Sequence, residues 1–419
     1  MADAVSAQGH QIEVRSWWSI FARRKVKILL VHNYYRQPGG EDVAFENEGA
    51  LLEAKGHEVQ RVTASNPVEA NLWGALRVVW ELPYSRRAKA ELTVTIERSR
   101  PDVMHVHNFF PLMTPSVYDA ADEAGVAVIQ TLHNFRLACA AALLMRDGKI
   151  CEECLHGSAY TAVKYGCYRQ SRLGTLAVAR MIESHRKGGI WREKVDRFIA
   201  LTEFARGKFI EAGLPAERIV VKPNFWAARG EVNIPATRIR KSPATALFVG
   251  RVSREKGIHT LLSAWNRLDV PLRVVGDGPL GAEVRGRRLA QIHMAGRVSP
   301  EEVSVEMSRA AFLVIPSEWY EGFPMVLVEA YAHGLPVIAS RIGSLGELIT
   351  DGVTGLHFEP GSAKDLAEKV RWAANHPDQM CDMGENARRR YSEMYSSEPN
   401  YRRLMQIYGE AIHSRDQDF

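Results

Sequence analysis

Short apolar runs recur along this chain, and they alternate with segments long enough to form helices. Each run has four to six residues and is rich in β-branched side chains, as in strands buried on both faces of a sheet. Strands that alternate with helices of about 10–15 residues predict parallel sheets with helices on both faces. The predicted strands of the first half are residues 26–31, 58–63, 103–106, 127–132, 197–202 and 219–222.

The same pattern restarts at Ala246 and continues for six more runs. They are residues 246–250, 272–276, 292–296, 312–316, 337–340 and 355–358. A length of 419 residues suits two domains, at roughly 100–200 residues per domain. We therefore predict two doubly wound, Rossmann-like α/β domains that face each other across a cleft. Their limits are residues 25–225 and 244–397, with a linker at 226–243 and an N-terminal extension at 1–24.

Charge and apolar content exclude several classes of protein. The sequence has 54 basic and 49 acidic residues, a net charge of +5, so we expect no nucleic-acid partner. No stretch approaches the roughly 18 apolar residues of a membrane span, and the N-terminus lacks the apolar core of a secretory signal. We expect a cytoplasmic protein whose five cysteines are reduced.

A glycine motif at residues 276–281 matches the dinucleotide-binding pattern G-x-G-x-x-G. That pattern belongs to the first strand–helix unit of a domain, and an acidic residue should end the next strand. Here the next strand ends in Ala295 and Gly296. The motif alone is weak support for a dehydrogenase.

The segment 316–336 predicts an anion-binding helix N-terminus. Pro324 stands where the first helical residue should be, and Gly334 lies just past the expected end,. The free N–H groups and positive dipole end near Gly322 and Phe323 suit a phosphate.

Two carboxylates bracket this helix start. Glu321 precedes the helix and Glu329 lies within it. Carboxylates accept hydrogen bonds from pairs of hydroxyl groups. A phosphate site between two hydroxyl-binding groups suits a ribose, a diphosphate and a sugar.

A second loop, after the strand at 246–250, carries Arg251 and Lys256. Two cations at the end of a parallel strand suit a diphosphate, with Arg as a bidentate fork and Lys as a point charge. The alternative is a pair of solvated surface cations. The Glu321 segment also follows a strand of this domain, in the equivalent position. Because that segment already predicts a phosphate site, the two cations are interpreted as diphosphate-binding.

Residues 246–360 resemble the nucleotide-sugar domain of the family-four retaining glycosyltransferases. The resemblance rests on the GR…KG loop, the G-D-G-P-L segment, the E-G-F-P-x-x-x-x-E block, and G-L-P-V-I-A-S followed by D-G-V-T-G-L. The first half is similar to the acceptor-side domain more loosely, through Gly39-Gly40 and the segments 101–108 and 131–134. The resemblance covers about residues 26–400. It implies the GT-B fold and a last helix, about 398–412, that crosses back to the first domain.

The resemblance also implies roles for individual residues. Arg251 and Lys256 would bind the donor diphosphate, and Glu321 the sugar hydroxyls. Gly322, Phe323 and Pro324 would form a lip under the sugar, and Glu329 would bind the ribose. Gly39 and Gly40 would allow close approach to the phosphate, and His107 would lie near the reacting carbon. His133 is a weaker candidate, and a buried structural histidine is the alternative for both histidines. One departure is Phe225 after Pro223-Asn224, where relatives often have glycine.

The family retains anomeric configuration and is thought to use front-face transfer, in which the leaving phosphate takes the acceptor proton. No DxD-type ligand pair is evident in the predicted donor domain, residues 244–397. We therefore expect Arg251, Lys256 and the helix N-terminus to stabilise the leaving group without a required cofactor. A glycosidase would use Glu321 and Glu329 as an acid/base pair, which the phosphate-binding cations argue against.

Two alternatives keep the fold but not the transfer: a nucleotide-sugar epimerase and a non-catalytic sugar-nucleotide-binding protein. For the transferase, UDP- and GDP-linked donors both stay open. The acceptor is expected to be a glycan or a polyprenyl-linked precursor of cell-surface polysaccharide.

Four cysteines fall within 29 residues: Cys139, Cys151, Cys154 and Cys167. The two-residue gap between Cys151 and Cys154 allows both thiolates to bind one tetrahedral zinc. The other two are widely spaced, so a structural zinc and four reduced thiols are both open.

Between residues 160 and 200 the chain has nine Lys or Arg against three acids. Apolar residues such as Leu173 and Leu176 interleave them. This composition, and the Trp17–Lys27 segment, suit an anionic membrane surface. A solvated helix face is the alternative. We expect a peripheral enzyme on the inner membrane face.

Overall fold

A computed structural model of the chain describes residues 24–35, 39–66, 72–227, 244–287 and 289–418. The predicted N-terminal extension lies outside the described residues except for Arg24. The same holds for residues 228–243 of the predicted linker.

The first domain contains a six-stranded parallel sheet with the strand order β2-β1-β3-β4-β7-β8. A small antiparallel hairpin, β5-β6, lies outside that sheet. The strands are β1 (Lys27–Tyr34), β2 (Glu58–Ser65), β3 (Val103–Asn108), β4 (Ala127–Leu132), β5 (Met145–Arg146), β6 (Lys149–Ile150), β7 (Arg197–Ala200) and β8 (Ile219–Val221). Its helices are α1 (Gly40–Ala54), α2 (Leu72–Glu81), α3 (Arg86–Ser99), α4 (Ser116–Glu123), α5 (Glu153–His156), α6 (Thr161–Tyr165), α7 (Arg172–Lys187), α8 (Ile190–Glu193) and α9 (Glu203–Glu211).

The second domain contains another six-stranded parallel sheet, with the order β11-β10-β9-β12-β13-β14. Its strands are β9 (Ala246–Val249), β10 (Leu272–Val275), β11 (Ile292–Gly296), β12 (Phe312–Ile315), β13 (Val337–Ser340) and β14 (Gly355–Phe358). The helices that follow are α10 (Ile258–Trp265), α11 (Gly281–Gly286), α12 (Pro300–Arg309), α13 (Met325–Ala332), α14 (Gly343–Leu348), α15 (Ala363–Asn375), α16 (Pro377–Arg390) and α17 (Ser397–Asp418).

The predicted fold class is confirmed: both domains are parallel α/β sheets in a two-domain architecture. The central strands β3, β4, β12 and β13 are buried at every position. Their continuous apolar runs are therefore explained by helices on both sheet faces. The predicted strands 127–132, 292–296, 337–340 and 355–358 agree with the structure at both ends.

The last helix, α17, packs against the first domain although it follows the second in sequence. Leu404, Ile407 and Tyr408 are buried in one cluster with Ile28 and Ile129. A five-residue π-helix, Tyr391–Tyr395, connects α16 to it. The chain therefore crosses between the domains twice, after β8 and before α17.

The domains touch along one edge of the cleft. The Glu347 carboxylate accepts hydrogen bonds from the backbone N–H groups of Glu203 (3.0 Å) and Phe204 (2.8 Å) at the start of α9. Thr202 Oγ1 lies 3.0 Å from Ser344 Oγ. These contacts hold α9 of the first domain against α14 of the second. Within the described residues, no helix is both long and apolar enough to span a membrane.

Candidate active site

The candidate site lies where the strand order of the second sheet reverses. Strands β9 and β12 are neighbours there although they are separated in sequence. Loops at the carboxyl ends of such a pair diverge and leave a crevice, which is where parallel α/β sheets bind ligands. The loop after β9 carries Arg251 and Lys256, and the loop after β12 carries Glu321.

Glycines allow these loops to approach one another at backbone distance. Gly257 has φ +70°, and a Cβ there would lie 1.8 Å from the carbonyl oxygen of Pro316. Gly276 has φ +123°, and a Cβ there would lie 2.0 Å from the carbonyl oxygen of Gly250. The first glycine of the 276–281 motif is therefore required by loop packing. The presence of this glycine is therefore explained by the fold, without a bound dinucleotide.

Lys256 and Glu321 meet at the centre of the crevice. Lys256 Nζ donates to Glu321 Oε1 at 2.7 Å, and Ser317 Oγ donates to the same oxygen at 2.6 Å. The Glu321 side chain is only 6% exposed, whereas that of Lys256 is 26% exposed. The lysine also lies 5.4 Å from the centre of the Trp319 ring. Arg251 is exposed in the same loop.

Helix α13 starts beside this pair. Pro324 is the residue before the first helical turn, with φ −77° and ψ 101°, one position earlier than its predicted place inside the helix. No side chain caps this end, so the terminal N–H groups and the positive end of the helix dipole remain available to a ligand. Gly334 follows the helix with φ +63°.

Glu329 occupies the second turn of α13. Burial raises the pKa of this carboxyl to about 7. A hydroxyl donor, or a nearby cation, would favour the ionised form. The group is thus suited to accept hydrogen bonds from a ligand.

Residues of the first domain face these loops from across the cleft. A Cβ on Gly322 would lie 2.4 Å from the carbonyl oxygen of His133. A Cβ on Gly40, in the first turn of α1, would lie 3.4 Å from Met325 Cγ. The predicted donor-side lip and the predicted acceptor-side glycines therefore approach one another.

His107 lies behind His133 when viewed from the cleft. It is 2% exposed, and its Nδ1 is 3.0 Å from His133 Nε2. The rings are stacked with centroids 5.2 Å apart. Burial lowers the pKa of His107 and takes that of His133 well below its usual range, so both imidazoles are neutral near pH 7.

Sequence reasoning missed a buried charge beneath these histidines. Glu48 lies in α1, and its Oε2 is 3.4 Å from His107 Nε2, while Lys222 forms an ion pair with Oε1. Burial opposes ionisation, but Lys222 and His107 keep the pKa of Glu48 well below its usual range. Lys222 is 174 residues from Glu48, so no local pattern connects them.

Glu41 is a second missed residue. Asn134 Nδ2 and Asn108 Nδ2 donate to its carboxylate at 3.0 and 3.3 Å. Burial, together with the Asp42 charge, raises its pKa to about 8. The signal in the sequence was its position directly after Gly39-Gly40, at the start of a helix that follows a parallel strand.

Two groups of three oxygen and nitrogen ligands lie close enough for a metal in the described parts of the chain. Glu48, His105 and His107 form one. However, Lys222 occupies Glu48, and both His105 nitrogens are 2.7–2.8 Å from hydroxyl groups. Glu152, His156 and Glu211 form the other, and Lys208 Nζ lies 3.0 Å from both carboxylates. A lysine therefore already occupies each group. The four clustered cysteines line a single cavity in the first domain.

Comparison with known proteins gives two family matches that together cover most of the chain. Residues 2–224 match the family described as "Glycosyl transferase 4-like domain". Residues 231–390 match "Glycosyl transferases group 1". The division between the two matches falls at residues 225–230.

Individual relatives agree with these matches. A lipopolysaccharide 1,2-N-acetylglucosaminetransferase of Salmonella typhimurium is 31% identical over 42% of this chain and 52% of its own length. An N-acetyl-alpha-D-glucosaminyl L-malate synthase of Bacillus anthracis is 22% identical over 92% of this chain and 98% of its own. The chain spans less than half the length of several other curated relatives that it matches.

A solved structure supports the fold. The Anabaena protein HepE, in complex with UDP, superimposes with a TM-score of 0.62 and 19% identity. The superposition covers 90% of this chain and 98% of that chain.

Proposed function

The chain belongs to the 4-like, group 1 glycosyltransferases, and from this premise we propose that it transfers a sugar from a nucleoside-diphosphate donor with retention of anomeric configuration. The proposed acceptor is a glycan or a lipid-linked precursor of a cell-surface polysaccharide. The nucleotide-sugar epimerase and the non-catalytic binding protein are not favoured by these relatives.

The Lys256–Glu321 pair carries this proposal. It places a cation, a largely buried carboxylate and an uncapped helix N-terminus in one crevice, at the end of a parallel sheet. A diphosphate needs the first and the last of these groups. A sugar hydroxyl needs the carboxylate. The three groups together therefore fit a sugar diphosphate better than the phosphate-binding groups or the carboxylate would alone.

The glycines on the acceptor side add support, because the chain's own packing does not require both of them. Gly39 has an extended φ of −131°, and a Cβ there would meet nothing within 4 Å. A Cβ on Gly40 would make an ordinary contact with Met325. Space beside this backbone is what close approach of a phosphate requires.

In the proposed reaction, the donor's β-phosphate leaves as the acceptor oxygen bonds to the anomeric carbon on the same face, and the departing phosphate takes the acceptor proton. Arg251, Lys256 and the α13 N-terminus stabilise the charge that develops on the phosphate. Glu321 orients the sugar, and Glu329 binds the ribose. His133 faces the transferred sugar, and His107 positions His133 through their 3.0 Å contact.

A panel of nucleotide sugars tests this function. The full chain is incubated with UDP- and GDP-linked hexoses and with candidate acceptors, and release of nucleoside diphosphate is measured. Lys256→Ala should abolish release, whereas Lys364→Ala, an exposed lysine of α15, should not. Proton NMR of the product should show the donor's anomeric configuration. An inverted product would reject the retaining mechanism and leave the transferase activity standing.

A lipid-linked acceptor is supported by an exposed apolar surface on the first domain, which we name the α2–α7 surface. Trp80 is 76% exposed and Leu173 is 72% exposed. Leu176 and Val79 extend it. Arg77 and Arg180 line it, although Arg77 is paired with Glu81 at 2.9 Å, and the exposed Arg172 precedes Leu173 at the start of α7. Exposed apolar side chains beside arginines fit the interface of an anionic bilayer.

The structure changes which basic residues can serve this role. Lys194 pairs with Asp119 at 2.6 Å, and Arg186 donates to the Gly157 carbonyl at 3.0 Å. The apolar Val178, Met181 and Ile182 are buried. The basic run 160–200 therefore does not form a single face, and only the start of α7 contributes to the α2–α7 surface.

Vesicle sedimentation tests the lipid assignment. Binding should require anionic lipid and weaken with salt. Arg172→Gln with Arg180→Gln should lower the bound fraction, at about 1 kcal/mol per basic residue, and Trp80→Ser should lower it further. Lys364→Gln with Arg402→Gln removes the same charge elsewhere and should have little effect. Equal losses in both pairs would contradict a specific surface.

A further inference from the structure

The segment between β4 and β7 brings four cysteines together with very little regular structure. Between Cys139 and Cys167 it contains only the two-residue strands of one hairpin and helices of four and five residues. All four cysteines nonetheless line one cavity. All are reduced in this structure.

Cys139 lies in a turn whose backbone N–H groups approach its sulfur. Its Sγ is close to the Cys154 thiol and to the backbone N–H groups of Ala141, Leu143 and Leu144. A neutral thiol is a weak acceptor, whereas a metal-bound thiolate is typically supported by donors in its second shell. Three backbone donors on one sulfur therefore suit a thiolate ligand.

The same turn has an unfavourable backbone. Ala142 has φ +64° and Leu144 has φ +48°, a left-handed region that residues with a side chain rarely adopt. Such conformations persist where the surroundings determine them strongly. Here they wrap the chain around Cys139.

We propose that Cys139, Cys151, Cys154 and Cys167 bind one structural Zn²⁺. Four thiolates in a tetrahedral set are the ligands of closed zinc sites. With Zn–S bonds of about 2.3 Å the sulfurs would stand about 3.8 Å apart. Among the described residues, which include all four, no three of these sulfurs are within 4.8 Å of one another. Binding must therefore bring the four sulfurs closer together than they stand here.

The position of this segment gives the metal a consequence for the cleft. In the hairpin, a Cβ on Gly148 would lie 2.6 Å from the guanidinium carbon of Arg254, in the loop that carries Lys256. Glu152, between two of the cysteines, accepts a hydrogen bond from Tyr320, which precedes Glu321. The metal would thus hold a segment that contacts both donor-side loops. This consequence rests on the proposed function, but the metal site does not.

Metal analysis of the full chain tests the site without any substrate. Protein purified under reducing conditions should contain about one zinc per chain, released as a mercurial reagent titrates the thiols. Cys151→Ser with Cys154→Ser should lose the zinc, and Cys381→Ser, a remote cysteine, should keep it. Iron in place of zinc, or thiols that react fully with no zinc released, would overturn the proposal.

Cobalt substitution keeps the test independent of a variant that fails to fold. Wild-type protein reconstituted with Co²⁺ should show the visible bands of tetrahedral cobalt and thiolate charge-transfer absorption. A six-coordinate cobalt spectrum would reject a four-thiolate site. Removing the zinc should also lower the Tm and the turnover. Loss of zinc with unchanged turnover would reject the link to the donor loops while the metal assignment stands on its content alone.

Discussion

Lys256 Nζ lies 2.7 Å from Glu321 Oε1, and this contact joins the loops after two neighbouring strands of the second sheet. The residues are 65 positions apart. The Glu321 carboxylate is largely buried, and the positive charge of Lys256 offsets the free-energy cost of burying it. A donor diphosphate would compete for the same ammonium group and free the carboxylate for a sugar hydroxyl.

Removing Lys256 should therefore damage both stability and activity. In Lys256→Met the Glu321 charge loses its cation, and the free energy of unfolding should fall by about 1–3 kcal/mol. Lys256→Met with Glu321→Gln should recover much of that loss, because no unpaired charge remains. Turnover should stay at least about 100-fold below wild type in both. Denaturant unfolding and donor turnover measure the two effects, and an active double variant would contradict the site.

Glu329 should make both stability and donor binding depend on pH. Its pKa of about 7 exceeds its value of about 4.3 in an unfolded chain. The native protein thus holds the extra proton between these values, and stability should decline as pH rises through that window. Glu329→Gln should remove this decline and be more stable than wild type above pH 7.

Donor binding should show the opposite dependence. The ionised carboxylate accepts ribose hydroxyls, so wild-type affinity should increase as pH rises through 7, and Glu329→Gln should be weaker and nearly independent of pH. Calorimetric titration with nucleoside diphosphate measures this. Glu385→Gln, an exposed carboxylate of α16, is the control and should keep the wild-type profile.

The sequence allowed much of the second domain to be predicted, because its signals are local. Strand 292–296 and the segment around Glu321 are read from apolar runs, Pro and Gly within about 20 residues. The end of one strand, the start of one helix and a carboxylate between them are all contiguous. The structure begins this helix at Met325, one position after the predicted start at Pro324. A difference of one residue is usual at helix ends.

The acceptor side could not be predicted to the same depth, because its contacts are distant in sequence. Glu48 forms an ion pair with Lys222. His105 Nδ1 lies 2.8 Å from the hydroxyl oxygen of Tyr408 in the last helix, 303 residues away. The basic run illustrates the same limit. Lys194 of that run is paired with Asp119, which composition does not reveal.

The buried pair of Glu48 and Lys222 should be important for stability. Both side chains are at most 2% exposed, and Asn400 Oδ1 accepts a second hydrogen bond from Lys222 at 3.2 Å. Lys222→Met leaves a buried carboxylate unpaired and should cost about 3–5 kcal/mol. Adding Glu48→Gln should recover part of this loss in the same denaturant titration. If Lys222→Met alone is neutral, Glu48 is not ionised in the native protein.

Gly322 should limit how closely the two domains approach. An alanine Cβ would lie 2.4 Å from the His133 carbonyl oxygen, a distance at which the backbone on one side must move. Gly322→Ala should therefore separate the α13 loop from the end of β4 and lower donor turnover, while each domain keeps its own core. Gly286→Ala is the matched control, because a Cβ there would meet nothing within 4 Å and the residue lies at the exposed end of α11, outside the candidate site. It should leave both the Tm and donor turnover unchanged. Small-angle scattering with and without nucleoside diphosphate should show an expanded form for Gly322→Ala alone. Equal dimensions and full turnover in that variant would mean that the cleft does not close along this contact during the reaction.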